Sequence, residues 1–295
     1  MIFSNRFEGL AVGWRLRAER GTVFFRKRKN NESPSRVKRG VLLLGLALLG
    51  AGCVAPSQSY WLPETQPVER LDYADWNGLL RAHVLRGAVD YPAVANDAGF
   101  PVFLTALRRA RFTLDTSADE RLAFWINAYN ASAIAGILDG QSPATILGRN
   151  EFLRRARHDV GGDSITLWDL QYRRIRPIGD PRTHFALVCA AVSCPSLSSQ
   201  AYLPRTLDAQ LESATFAFVN DPAKNRYDPV ERVAYLSEIF DWYAEDFAAA
   251  AGSVPAYVAL HVEDPAVAAG LADGSWKVRY QKSDWDLNGK PLPLD

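Results

Sequence analysis

The stretch Leu122-Ala123-Phe124-Trp125-Ile126-Asn127-Ala128-Tyr129-Asn130-Ala131 constrains the fold more than any other part of the chain. At helical spacing it is apolar nearly all the way round, so a helix built from it must be covered on every side. Residues 119–138 are therefore expected to form a long helix at the centre of a domain, with Ser117 as its cap and Gly140 as its stop. Asn127 and Asn130 interrupt it, three residues apart and so on neighbouring positions of one face. A buried amide left unpaired costs about 1–3 kcal/mol, so each needs partners. Either they tie the helix to neighbouring backbone, or together with Trp125 and Tyr129 they line a binding pocket.

Other helical patterns surround this one. Asp75 or Asn77 can cap a helix through Leu85 ended by Gly87; residues 102–111, 206–219 and 238–250 give three more. Strand candidates are residues 184–190, 232–236 and 277–281. Short strands among longer helices imply an α+β fold, a mostly helical single domain around a small β-sheet. It is expected over residues 71–295, with no internal linker or repeat.

The front of the chain has a different character. The net charge of +1 over 295 residues hides an excess of 11 Lys/Arg over 3 Asp/Glu in residues 1–52. The remainder holds 23 basic against 30 acidic residues. A mildly acidic body gives no electrostatic ground for nucleic-acid binding. Lys38-Arg39, a short apolar run over residues 41–49 and small residues before Cys53 make up a secretory signal, too short to span a bilayer. Gly50-Ala51-Gly52-Cys53 resembles the lipobox of bacterial lipoproteins, which implies cleavage before Cys53 and lipid on its thiol. In that pattern the Gly50 position usually holds Leu. Residues 1–36 exceed what such a signal needs, and translation from Val37 would give one of ordinary length. Residues 53–70 read as lipid anchor and polar tether. The expected partners are thus a membrane, through Cys53, and an envelope ligand or protein. Val54 after the cysteine, instead of Asp, resembles lipoproteins sent to the outer membrane, on its periplasmic side.

Two cysteines remain, Cys189 and Cys194. In an exported protein an even count allows one disulfide. They lie in Thr183-His184-Phe185-Ala186-Leu187-Val188-Cys189, read as a buried strand, and the turn Ser193-Cys194-Pro195 that follows. On a strand His184 and Cys189 would point to opposite faces, which leaves Cys194 as the thiol able to fold back on His184 as nucleophile beside base. The sequence thus leaves three options open, a Cys189–Cys194 disulfide, an inert buried pair of thiols and a Cys194–His184 catalytic pair.

Glu238, Asp241 and Glu245 form an acidic stripe, read as a solvated face. His83 is read as an ordinary helix residue, and His158 and His261 as surface residues. No metal-ligand set, phosphate loop or Gly-x-Ser-x-Gly elbow is present in the sequence, so no metal and no cofactor are expected.

In order along the chain, Phe124-Trp125-Ile126-Asn127-Ala128-Tyr129-Asn130-Ala131, Gly161-Gly162, residues 180–187, Ser193-Cys194-Pro195, residues 235–240, Trp242-Tyr243, Asp246-Phe247 and Asp284-Trp285 resemble the family called domain of unknown function 547. The likeness covers roughly residues 75–290. The family often has Ile-Glu-His where this chain reads Leu170-Gln171-Tyr172, and Asn where it has Val188. Both changes remove polar groups that chemistry would use. The resemblance implies a bacterial envelope protein with a polar pocket, and it implies no reaction. Two functions follow: a non-catalytic module that binds a ligand or partner near Asn127, Asn130 and His184, or a thiol-dependent hydrolase or transferase using Cys194 and His184.

Overall fold

The computed structural model describes residues 64–292. The signal region, the start expected at Val37 and the lipidation candidate Cys53 lie outside the described residues. Among the described residues eleven α-helices run in chain order: α1 (Ala74–His83), α2 (Tyr91–Ala95), α3 (Gly99–Arg109), α4 (Ala118–Leu138), α5 (Ile146–Asn150), α6 (Leu167–Asp169), α7 (Leu207–Val219), α8 (Ile239–Trp242), α9 (Ala244–Ala251), α10 (Val254–Ala259) and α11 (Pro265–Ala272). Ten short strands accompany them: β1 (Gln66–Pro67), β2 (Val84–Leu85), β3 (Ala88–Asp90), β4 (Ala110–Arg111), β5 (His158–Val160), β6 (Asp163–Ile165), β7 (Arg226–Asp228), β8 (Val233–Ser237), β9 (Lys277–Gln281) and β10 (Gly289–Lys290). The fold is α+β and mostly helical.

Helix α4 is the spine. Its start is fixed by a capping box, in which the Ser117 hydroxyl accepts from the Glu120 amide and the Glu120 carboxylate accepts from the Ser117 amide. From Leu122 to Ile134 every residue is buried. Around it gather α1, α2 and α3, the π-helical turn Leu170–Ile175 and the backbone of residues 186–190, forming one apolar core. A second core, Phe185 with Phe218, Phe240, Phe247 and Tyr257, lies against β8 and α7–α11.

The strands do not gather into one sheet. They form four small ones, of which β7–β8–β9 is the most regular, with β8 and β9 parallel over five residue pairs. Part of the expected tether belongs to the domain. Gln66–Pro67 pairs with Ala110–Arg111, and Val68 is buried in the first core.

Two expectations fail locally, each for a physical reason. Residues 184–190 are not a strand: Pro181–Phe185 is a 3₁₀ turn, started by Asp180, whose side chain accepts from the Arg182 amide. Beyond it the chain is irregular, and the Asn130 side chain supplies the hydrogen bonds a neighbouring strand would have given. Its Nδ2 donates to the Ala186 carbonyl (2.9 Å) and its Oδ1 accepts from the Val188 amide (3.0 Å). Residues 238–250 are two helices, because the backbone turns at Tyr243 (φ −117°, ψ 26°) between α8 and α9. The acidic stripe is therefore not one helical face. Asp241 and Glu245 are exposed, while the Glu238 carboxylate accepts from the Ser283 amide at 2.9 Å. The first helix stops at His83, and residues 84–90 make a hairpin whose turn, Arg86-Gly87, has positive φ at both positions.

Candidate functional site

His184 ends up at the join of the two cores. Its side chain is only 2% exposed, held from three sides. Nε2 lies 2.8 Å from Asp246 Oδ2, on α9. The imidazole stacks on the Tyr243 ring, with centroids 3.8 Å apart, and meets Phe247 edge-on. The break between α8 and α9 thus has a use: it lays the Tyr243 ring flat on the imidazole, while the first turns of α9 bring Asp246 to its edge.

Asp246 is itself clamped. Arg176 donates to both carboxylate oxygens, Nε to Oδ2 at 2.7 Å and Nη2 to Oδ1 at 2.9 Å, in the bidentate geometry that favours guanidinium–carboxylate pairs. Burial alone would raise the Asp246 carboxyl, but the hydrogen bonds from His184 and Arg176 outweigh it and hold it at about 2. For His184 burial dominates and lowers its pKa, against the opposing pull of Asp246. At neutral pH the imidazole is therefore neutral. With Nε2–H donating to the carboxylate, Nδ1 carries a lone pair. Nδ1 is buried and has no hydrogen-bond partner among the described residues.

Gln171 and Tyr172, from the π-helical turn Leu170–Ile175, reach the same place. Gln171 Nε2 donates to the Tyr243 hydroxyl at 2.8 Å, and the Tyr172 ring lies 6.3 Å from that of Tyr243. Burial raises the phenols of Tyr129, Tyr172 and Tyr243, so all three remain neutral donors. The two positions at which this chain departs from the resembled family's Glu-His pattern thus lie beside the imidazole's stacking partner.

The other residues singled out in the sequence are placed as follows. Asn127 has no free hydrogen-bonding group: Oδ1 accepts from Trp76 Nε1 (3.1 Å) and the Tyr202 amide (3.0 Å), while Nδ2 donates to the carbonyls of Ala123 (2.9 Å) and Tyr202 (2.7 Å). Asn130 is bound to Ala186 and Val188, as described above. Both amides tie α4 to irregular backbone. Trp125 is buried between Phe112 and Phe124, with the Arg174 guanidinium 5.7 Å over its ring. Tyr129 is buried on α4. A cavity of about 450 Å³ is lined by Leu71, Asn77, Glu120 and Arg205 among others, and none of these four aromatic and asparagine residues lines it.

Cys189 and Cys194 are joined in a disulfide, with Cα atoms 5.7 Å apart. The catalytic role considered for Cys194 does not fit this state, since a disulfide sulfur offers no thiolate. The bond borders a narrow cleft with Trp242 and Trp285. His83, the last residue of α1, pairs with Asp97 at 2.8 Å. His158 and His261 are half-buried instead of fully exposed, and His261 Nδ1 lies 3.2 Å from Glu212. Among the described residues no group of three or more His, Cys, Asp or Glu is arranged to hold a metal ion.

Sequence reasoning missed Asp246, Arg176 and Tyr243 as site residues. Asp246 and Tyr243 stood inside the family-like pieces, but no periodicity connects them with His184, some sixty positions earlier.

The family described as "Protein of unknown function, DUF547" matches residues 114–219. The matched stretch contains α4, His184, both cysteines, Gln171, Tyr172 and Arg176, while Tyr243 and Asp246 come from beyond it. The resemblance read from the motifs is thus shown over this stretch. Neither a curated protein nor a solved structure matches the chain.

Proposed function

We propose that this chain is a lipid-anchored protein of the bacterial cell envelope, on the periplasmic side of the outer membrane, whose domain binds a ligand or partner without catalysis at the His184 cluster. The observation that carries the binding role is the Nδ1 atom of His184. It is a buried acceptor with no partner among the described residues, on an imidazole fixed by Asp246 and Tyr243. Leaving such a group unpaired costs about 1–3 kcal/mol, which a ligand N–H or O–H donor would recover on binding. Arg176, on Asp246, and Gln171 and Tyr172, beside Tyr243, are only partly buried.

The absence of catalysis is supported by the bonded cysteines and by Gln171 and Tyr172, neither of which replaces a carboxylate and an imidazole in acid–base work. The cysteine pair also agrees with an oxidising compartment. Lipid on Cys53 rests on the signal-like residues before it.

One observation favours the rival reading. A buried neutral imidazole oriented by a carboxylate, with its second nitrogen free, is arranged as a general base is. A thiol-dependent hydrolase or transferase would need Cys194 reduced. The two readings separate in one experiment: an electrophilic thiol probe applied to unreduced protein, beside complementation of a deletion strain by Cys194→Ser. Silence towards the probe and full complementation support binding. Labelling of Cys194 with loss of complementation would replace it by catalysis.

A further inference from the structure

Charge is unevenly spread over the domain. Residues 145–176 hold seven arginines against four Asp/Glu, whereas the rest of the chain from Cys53 onward holds 16 basic against 26 acidic residues. The basic stretch folds back on itself. Helix α5 runs into the π-helical turn Glu151–Arg155, which packs against α6. The Arg154 guanidinium lies 3.6 Å from the Trp168 ring centroid, and Arg157 Nη1 donates to the Ser164 carbonyl at 2.8 Å. Arg155 and Arg173 are 70% and 75% exposed in their side chains, and each pairs through Nε with a carboxylate four residues earlier, Glu151 at 3.3 Å and Asp169 at 3.0 Å, which leaves their terminal nitrogens facing water.

At the tip of this basic region are two large apolar side chains in water. Ile146 is 67% exposed and Leu147 84% exposed, at the start of α5. They are held rigidly, because Thr145 caps the helix and Phe152 in the next turn is wholly buried. Exposed aliphatic groups within an arginine-rich stretch are a pattern by which a protein surface seats on an anionic bilayer. The apolar groups enter the headgroup region while the guanidinium groups meet phosphate.

We infer that the α5 tip, with Ile146, Leu147, Arg154, Arg155, Arg157 and Arg173, docks on the anionic phospholipid surface of the membrane that carries the protein. The inference rests on the lipid anchor at Cys53. Ten residues lie between Cys53 and Glu64, and the eleven steps between them, fully extended, reach at most about 40 Å, so the domain is confined beside the bilayer. The acidic remainder, repelled by the same surface, turns the His184 cluster's domain with its basic end towards lipid.

The test uses the lipidated protein in vesicles, with an environment-sensitive dye on Leu147→Cys or, as a control, on Val230→Cys, a turn position that is 88% exposed. Flotation with uncharged phosphatidylcholine vesicles, together with intact mass, reports the anchor by itself. In vesicles holding about 30% phosphatidylglycerol, a lipid-borne quencher is expected to lower the residue-147 signal about twofold, and Val230→Cys is expected to stay unquenched. About 0.5 M salt should reverse the effect, since screening then acts within a few ångströms. Flotation with an unquenched residue-147 dye in anionic vesicles would overturn the docking while leaving the anchor intact. Crosslinking of that residue in native membranes to an acidic protein instead of lipid would overturn it equally. Failure to float in neutral vesicles would overturn the anchor instead.

Discussion

Replacing Asn127 with alanine separates a structural amide from a ligand-binding one. The side chain is 1% exposed and satisfies buried groups on two other segments. Truncation strips the Trp76 indole N–H and the Tyr202 amide and carbonyl of the partners described above, while the Ala123 carbonyl keeps its helical bond. At about 1–3 kcal/mol per buried group left unpaired, and with the vacated space able to admit a water, the loss is about 3–5 kcal/mol. For a domain of this size that is a fall in Tm of roughly 8–15 °C. Circular-dichroism melts and urea titration of the mature protein measure it, with exposed Asn150→Ala expected within about 0.5 kcal/mol of the parent. A Tm for Asn127→Ala within about 2 °C of the parent would refute the reasoning and hand the amide back to a ligand.

Ser117→Ala removes one half of the capping box and should cost about 1 kcal/mol in urea stability, with Ser117→Thr restoring most of it. Reducing the Cys189–Cys194 bond frees a short loop and should lower stability by about 2 kcal/mol, read as a shift in the urea midpoint with and without reductant. Gly87→Ala places a methyl group against Ser196 at a positive-φ position (+81°) and should destabilise by about 1–3 kcal/mol in the same titration. Because His184 has a folded pKa below its ordinary 6.5, the unfolded chain binds a proton first, so stability should decline as pH falls below about 6.5. Asp246, held at about 2 against an ordinary 3.8, contributes stability that persists above about 3.8 and fades as pH drops towards 2. NMR titration of the His184 ring checks the first part, and a midpoint above 6.5 would contradict it.

What was legible in the sequence was whatever local chemistry decides. Ser117, the all-round apolar pattern and Gly140 gave α4 to within a residue, and residues 277–281 were read as the strand that β9 is. Residues 184–190 misled because a short apolar run fits a buried strand, whereas the partner that organises them is a side chain, Asn130, from a helix nearly sixty positions earlier. The helix break at Tyr243 was equally hidden, since the ring it presents meets His184 only through tertiary packing. The candidate site was half visible. His184 and the cysteines were named, but a carboxylate from α9 and a guanidinium from the turn after Ile175 come together only through tertiary packing.

Intact-mass spectrometry of the protein from its native envelope, alkylated before and after reduction, tests the central claim most directly. The account predicts a chain beginning at lipidated Cys53, with Cys189 and Cys194 taking up alkyl groups only after reduction. A mass without lipid would contradict the anchor, and alkylation of both cysteines without reductant would contradict the disulfide and bring Cys194 forward as a nucleophile.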